Sequence, residues 1–219
     1  MSIILNIETS SKNCSVCLSL NGKLIDSFDT QDNDFRHSEL LTSAIQDILS
    51  KNNFNVKDLS AISVGFGPGS FTGIRIGLSV AKGLCYPNKI PLIAISSLKI
   101  IANSVKENNK NIISLIKDKG DYYYYSKYDI DLKEIIQPSI NYIDSNFLST
   151  IIDDNSKLIV NTEDDLGFLY KLVSNSIEVT KSTISAKHMI ELSHKSFDQG
   201  KFEDLAYIEP MYVKKPYVS

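Results

Sequence analysis

The sequence predicts an α/β protein of two lobes, each with a mixed sheet and helices. Three observations carry that expectation. The first 30 residues read as an antiparallel meander of three strands. Alternating helix and strand patterns follow, and a polar stretch at Lys106–Asn111 then separates them from a second set of strand and helix signals. A length of 219 residues suits two lobes of roughly 100 residues each, with expected bounds of 1–102 and 103–219 and with the C-terminal helix and tail able to pack back on the first lobe.

In chain order, Ile3 to Ile7 is a short apolar run ending in Glu8-Thr9-Ser10. Cys14 to Leu20 alternates, with Val16, Leu18 and Leu20 on one face, and Asn21-Gly22 supplies the two positive-φ positions of a type I′ hairpin turn before a strand over Lys23–Phe28. His37 to Ser50 has the i, i+4 apolar spacing of an amphipathic helix. Ala61 to Phe66 is a strand running into Gly67-Pro68-Gly69, after which Ser70 can cap a helix through about Leu84. Leu92 to Ile95 is a further buried strand. The order β-β-β-α-β-α-β is that of a ribonuclease-H-like lobe, the building block of the actin-like ATPase fold. In the second half, Ile112–Ile116, Tyr122–Tyr128 and Lys157–Val160 are expected strands, and Leu166–Val173 and Ala186–Phe197 expected helices. The run Tyr122-Tyr123-Tyr124-Tyr125 suggests a base-stacking platform, but in a strand its rings alternate between faces, so an ordinary β-rich tyrosine strand is the stronger reading.

Composition narrows the function classes. Hydrophobic residues make up 42% and charged residues 22%, values of a soluble globular protein. No run of about 18 uncharged apolar residues suggests a membrane span, and the N-terminus lacks a basic segment before a long apolar core, so a cytoplasmic location is expected. The net charge of −3, with lysines dispersed among acids, disfavours an independent grip on nucleic acid. Cys14 and Cys17 have C-x-x-C spacing, yet residues three apart on a strand face opposite ways and no second pair exists, so packed thiols are expected rather than zinc or redox chemistry.

The most informative stretch runs from Val64 to Gly77. A strand, glycines and a helix N-terminus together are one way of cradling phosphate, which makes Gly67, Gly69 and Ser70, with Glu8 and Thr9 at the first strand's end, the residues expected near a nucleotide. The spacing matches neither a Walker loop nor a dinucleotide fingerprint. On the helix, Gly73, Gly77 and Ala81 fall four apart and form a smooth strip, and each interior glycine costs about 1 kcal/mol relative to alanine. That cost is expected where something approaches the backbone closely. Thr72, Arg75, Ser79 and Lys82 fill one narrow polar stripe and nearly everything else is apolar, about twice the arc a helix lying on one sheet needs. Two readings follow: a helix buried within its own lobe, or a second surface reserved for another protein. The second names Phe71, Gly73, Ile74, Gly77, Leu78, Ala81 and Leu84, with His37, Leu40, Leu41, Ala44 and Ile48 of the preceding helix alongside.

The stretch Gly67-Pro68-Gly69-Ser70-Phe71-Thr72-Gly73-Ile74-Arg75 closely resembles the G-P-G-S-F-T-G-[VLI]-R motif of the TsaB (YeaZ) family. Ile7-Glu8-Thr9-Ser10, His37-Ser38-Glu39-Leu40-Leu41, Pro91–Leu98 and Pro210-Met211-Tyr212-Val213-Lys214 resemble further family segments in the same order. The likeness is strong over about residues 1–102, thin from 103 to 205, and returns at the tail. Where the family often has D-A-R before a Gly-Glu turn, this chain has Ile116-Lys117-Asp118 before Gly120-Asp121.

The resemblance implies a two-lobed actin-like fold and a non-catalytic role beside a paralogue, TsaD, which transfers threonylcarbamoyl to the adenosine next to the anticodon of tRNAs reading A-starting codons. It implies a ternary complex with the ATPase TsaE, a functional link to TsaC, homodimers when alone, and contact with tRNA only through the complex. The paralogue's metal-binding H-x-x-x-H corresponds here to Ser97 and Ile101, and Ile101 has no ligand atom. No metal or cofactor is therefore expected on this chain, ATP, magnesium and the transferase metal belonging to the partners. His188 and His194 lie off a common helical face, and Glu8 stands where actin-fold ATPases place a magnesium-linked carboxylate. The competing reading is an actin-fold small-molecule kinase or ATPase built on Glu8, Thr9 and the Gly-Pro-Gly loop.

Overall fold

The computed structural model describes residues 1–31, 37–106 and 110–213, apart from the side chains of residues 31 and 37. The chain divides into two compact units. The first contains Met1–Ile100 and Ile184–Met211, and the second contains Ile101–Thr183 with Tyr212 and Val213. The C-terminal helical segment thus falls in the first unit; the sequence places it in 103–219 while allowing it to pack back on the first lobe.

The first unit holds a five-stranded sheet of order β3-β2-β1-β4-β5, made of β1 (Ile3–Glu8), β2 (Asn13–Leu20), β3 (Lys23–Gln31), β4 (Ala61–Gly65) and β5 (Leu92–Ile95). The meander is antiparallel, and β1-β4-β5 are parallel. Asn21 and Gly22 take positive φ in the predicted hairpin turn. α1 (His37–Lys51) buries Leu41, Ala44, Ile45, Ile48 and Leu49 in the first unit's core and turns Thr42, Ser43, Gln46 and Asp47 outward. α2 (Phe71–Asn88) runs a turn beyond the expected end at Leu84. Pro87 sits in that last turn, and the lost N–H removes only a terminal bond. α3 (Ser97–Asn103) follows β5.

The second unit repeats this winding. Its sheet has the order β10-β9-β6-β7-β8, from β6 (Asn111–Lys117), β7 (Tyr122–Tyr128), β8 (Glu134–Tyr142), β9 (Ser156–Val160) and β10 (Glu178–Lys181). Three strands are again antiparallel and three parallel, with α4 (Ser145–Ile151) and α5 (Leu166–Leu172) as crossovers. Each unit is the ribonuclease-H-like lobe expected from the sequence. The sequence reading missed β8, whose Pro138 argues against a strand; an edge strand tolerates it because one side of its backbone has no ladder to make. Tyr123 is fully buried and Tyr124 nearly so, which leaves Tyr122 as the well-exposed ring of the run, packed edge-on against Tyr142. A row of stacked bases has no platform there.

The C-terminal part of the first unit begins with a 3-10 turn, Ala186–Met189, continuing into α6 (Ile190–Asp198). A polar cluster fastens it to the meander. Asp29 Oδ1 accepts from Asn13 Nδ2 at 3.0 Å, Ser15 Oγ at 2.7 Å and Ser185 Oγ at 2.8 Å, while Lys187 Nζ lies 2.9 Å from Oδ2. Ser15 Oγ also accepts the Ala186 amide at 2.8 Å. Burial pushes the Asp29 carboxyl up, but the bonds from Lys187, Asn13, Ser15 and Ser185 outweigh it and hold it at about 2.

The glycine strip of α2 is used inside the first unit. A Cβ on Gly73 would overlap the carbonyl oxygen of Thr9, and one on Gly77 would overlap Thr9 Oγ1 with Val64 Cγ2 at 3.6 Å. Thr9 Oγ1 donates to the Gly73 carbonyl at 2.8 Å. Ala81, Ile74 and Leu78 are buried as well. The close approach that justifies the glycines is therefore made by the β1–β2 loop, not by a second chain. The wide apolar arc has the same explanation. The Gly73-Ile74-Gly77-Leu78-Ala81-Cys85 side is buried, and the half-buried Ile76, Val80 and Leu84 pack against the same core from the flanks.

Three glycines of one helix thus differ in what replacement does. Gly73→Ala and Gly77→Ala are expected to lower unfolding free energy by about 1–3 kcal/mol through overpacking. Gly83→Ala, at a site open to 4 Å, is expected to raise it by about 0.5–1 kcal/mol through helix propensity. Urea denaturation followed by circular dichroism reads all three; a Gly77→Ala protein as stable as wild type contradicts the packing described. Asp29→Ala is expected to cost about 1–2 kcal/mol. Because the folded-state value is depressed, this contribution is full above about pH 4, the ordinary aspartate range, and is lost as pH falls through about 2. Acid titration of wild type against Asp29→Ala should show the stability difference closing only in that window.

Candidate functional site

In an open α/β sheet, ligands meet the carboxyl ends of the parallel strands. In the first unit those ends carry Glu8 and Thr9 after β1, Phe66–Ser70 after β4, and Ser96–Ser97 after β5. All of the residues expected near a nucleotide are brought together here.

Their packing is tight. Glu8 is 0% exposed, and its carboxylate occupies the space a Cβ on Gly65 would need. Glu8 Oε1 accepts the Ser10 amide at 2.6 Å, and Ser97 Oγ donates to Oε2 at 3.5 Å. Burial pushes the Glu8 carboxyl above the usual carboxylate range, against these bonds. The Ser70 amide donates to the Ser10 carbonyl at 2.7 Å, an oxygen that a Cβ on Gly69 would overlap. Ser70 Oγ caps α2 by accepting the Gly73 amide at 3.2 Å. The Ser97 amide donates to the Gly67 carbonyl at 2.8 Å. Glycine at 67 and 69, both with positive φ, lets two stretches of protein backbone meet. The fold family implies ATP with magnesium at such strand ends, and these residues do not fit it: the Glu8 carboxyl is sealed, the Ser10 carbonyl lies against Gly69, and the Thr9 carbonyl lies against Gly73 at the start of α2.

At the corresponding strand ends of the second unit, Lys117 Nζ pairs with Asp165, which is 1% exposed and also accepts from Thr162 Oγ1. Lys117 belongs to the segment that departs from the family's D-A-R, and there it is an exposed lysine paired with the buried Asp165. Asp165 was not foreseen, and neither was Asp29; the partners of Asp29 lie up to 158 residues away in sequence, at Lys187, and leave no local pattern.

The docking surface expected from periodicity is smaller than drawn. Leu41, Ala44, Ile48, Gly73, Ile74, Gly77, Leu78 and Ala81 are buried in the first unit, because the sheet and the β1–β2 loop already cover them. Leu40 and Leu84 are half-buried, and the side chain of His37 lies outside the described residues. Phe71 remains 55% exposed, with the Arg75 guanidinium 3.7 Å from its ring centroid. Phe71, Thr72, Arg75, Ile76, Ser79 and Val80, with Ser38 of α1, line an open groove of about 420 Å³.

Other expectations concern chemistry. Cys14, Cys17 and Cys85 are buried free thiols, and burial pushes Cys17 and Cys85 up to about 12 and Cys14 to about 11, so none is poised as a thiolate. Ile101 is fully buried. Among the described residues no group of three or more His, Cys, Asp or Glu side chains is placed to hold a metal, and no helix is long and apolar enough to cross a membrane.

Residues 32–145, just over half of the chain, match the family described as TsaD: tRNA N6-adenosine threonylcarbamoyltransferase. The tRNA threonylcarbamoyladenosine biosynthesis protein TsaB of Escherichia coli K12 is 27% identical, over 96% of this chain and 94% of that protein. TsaB of Buchnera aphidicola from Acyrthosiphon pisum is 33% identical over 72% of this chain and 76% of its own length. Among solved structures, YeaZ from Pseudomonas aeruginosa superposes with a TM-score of 0.82 at 21% identity, covering 97% of this chain and all of that one. With that fold, and with identity of this extent carried along most of its length, the chain belongs to the TsaB (YeaZ) family.

Proposed function

We propose that this protein is a non-catalytic subunit of the complex that forms N6-threonylcarbamoyladenosine beside the anticodon of tRNAs reading A-starting codons, and that it acts by binding and activating the catalytic paralogue TsaD. The observation that carries the non-catalytic half of this reading is the self-packing of the strand ends. Glu8 is sealed by Ser10, Ser97 and the bare Cα of Gly65, and the Ser10 and Thr9 carbonyls lie against Gly69 and Gly73. Strand ends packed in this way weigh against the actin-fold kinase or ATPase reading. ATP, magnesium and the transferase metal then belong to partner subunits, TsaE joins as the ATPase, TsaC supplies the activated intermediate, and tRNA is met only through the complex.

Family membership supports the partner half, and the start of α2 offers the surface. An exposed aromatic stacked by an arginine, beside a groove walled by Ile76 and Val80, has the residue types that dominate binding energy at protein interfaces. The same face is the candidate for homodimer contact when the chain is alone.

Co-purification with TsaD is the deciding experiment: binding at micromolar concentration is expected, and its failure rejects the reading. Within that assay Phe71→Ala and Arg75→Glu should each weaken binding about tenfold or more while leaving the melting temperature of the free chain within about 1 °C, since both side chains lie outside the core. Normal binding by both variants moves the interface elsewhere. For the isolated chain, Mg-ATP at millimolar concentration should give no thermal shift and no turnover; a rise of several degrees restores the ATPase reading.

A further inference from the structure

The tail motif beginning at Pro210 resembles a family segment, and nothing in the function proposed above uses it. In the first unit, Glu203 to Met211 crosses β5, α2 and the end of β4 in turn. The Glu203 amide donates to the Leu92 carbonyl at 2.8 Å. Lys82 Nζ, from α2, donates to the Ile208 carbonyl at 2.9 Å. The Met211 amide donates to the Phe66 carbonyl at 2.8 Å. Leu205 and Ile208 rest against the core, whereas Glu203, Asp204, Ala206, Tyr207 and Glu209 are exposed. The segment is therefore a strap lying on the unit, not a layer of its core.

Its end falls on the loop that closes the strand ends. Phe66 is the first residue of that loop. A side chain at Gly67 would crowd its neighbours, since a Cβ there would sit 3.0 Å from Ile74 Cδ1 and 3.2 Å from the Met211 carbonyl oxygen. One side of the loop is held by Ser70 on Ser10 and by Ser97 on Gly67; the other is held by Met211. Gly67 and Gly69, both at positive φ, give this backbone conformations that other residues lack. A loop of that kind keeps one shape only while its neighbours hold it.

We infer that Glu203–Met211 is a detachable strap whose Met211–Phe66 hydrogen bond locks the Gly67–Ser70 loop against Ser10. With few buried contacts and three polar anchors, the strap opens at lower free energy than the sheet beneath it. Its release frees the loop and, through the Ser70 cap, the first turn of α2, where Phe71 and Arg75 stand. The strap thereby controls the geometry of that exposed turn, whether or not a partner binds there.

Hydrogen exchange on the free full-length protein tests this without any partner. Met211→Pro removes the donor to Phe66, and Lys82→Met removes the clamp at Ile208 without touching the loop. In Met211→Pro the peptide covering Phe66–Phe71 should exchange at least tenfold faster, with β1 and β4 unchanged. Lys82→Met should show the same pattern at smaller amplitude, and it decides the matter if the proline variant does not fold. Unchanged loop exchange overturns the inference, because the loop then stays shut unaided. A rise shared equally by β1 and β4 also overturns it, because the strap is then part of the core.

Discussion

The contact between Thr9 and the glycine face of α2 organises the first unit. Thr9 follows β1, the central strand, and its backbone and hydroxyl lie where side chains on Gly73 and Gly77 would otherwise be. Because that approach is close, Thr9 can hydrogen-bond the Gly73 carbonyl, Ser10 can accept the Ser70 amide, and the loop after β4 is drawn over the strand ends. Helix, loop and central strand become one packed body. Each glycine gives up helix propensity of about 1 kcal/mol, offset by contacts that only a bare Cα allows.

The same contact bears on function. Strand ends of a parallel sheet are where a ligand is met, and here protein backbone already occupies them. Glu8 remains as a carboxyl group out of water, bonded to Ser10 and Ser97, and in the second unit Lys117 and Asp165 pair at the equivalent place. Both units thus keep the winding of a ribonuclease-H-like lobe. The start of α2, with Phe71 55% exposed, stays on the surface of the first unit.

Polar networks distant in sequence hold the C-terminal part in place. Asp29 gathers Asn13, Ser15, Ser185 and Lys187, which fixes the turn before α6 on the meander and explains why these residues belong to the first unit. Beyond α6 the chain lies on the surface as a strap, with anchors that are individually weak. The unit therefore grades from a dry core, through a saturated ion-pair cluster, to a peripheral segment, and its ease of local opening should follow the same order.

The sequence by itself determined the strand meander, the positive-φ hairpin at Asn21-Gly22, both long helices, the α/β order and the family, because periodicity and turn chemistry are local and the glycine motif is contiguous. It also determined that something must approach Gly73 and Gly77 closely. Only the tertiary structure decided what does so. Helical periodicity counts apolar residues around α2 but cannot say which neighbour covers each arc, and here the covering groups are Thr9, 64 residues upstream of Gly73, the sheet and α1. The edge strand with Pro138, the Asp29 cluster and the Lys117–Asp165 pair were hidden for the same reason: each depends on residues far apart in sequence that meet only once the chain has folded.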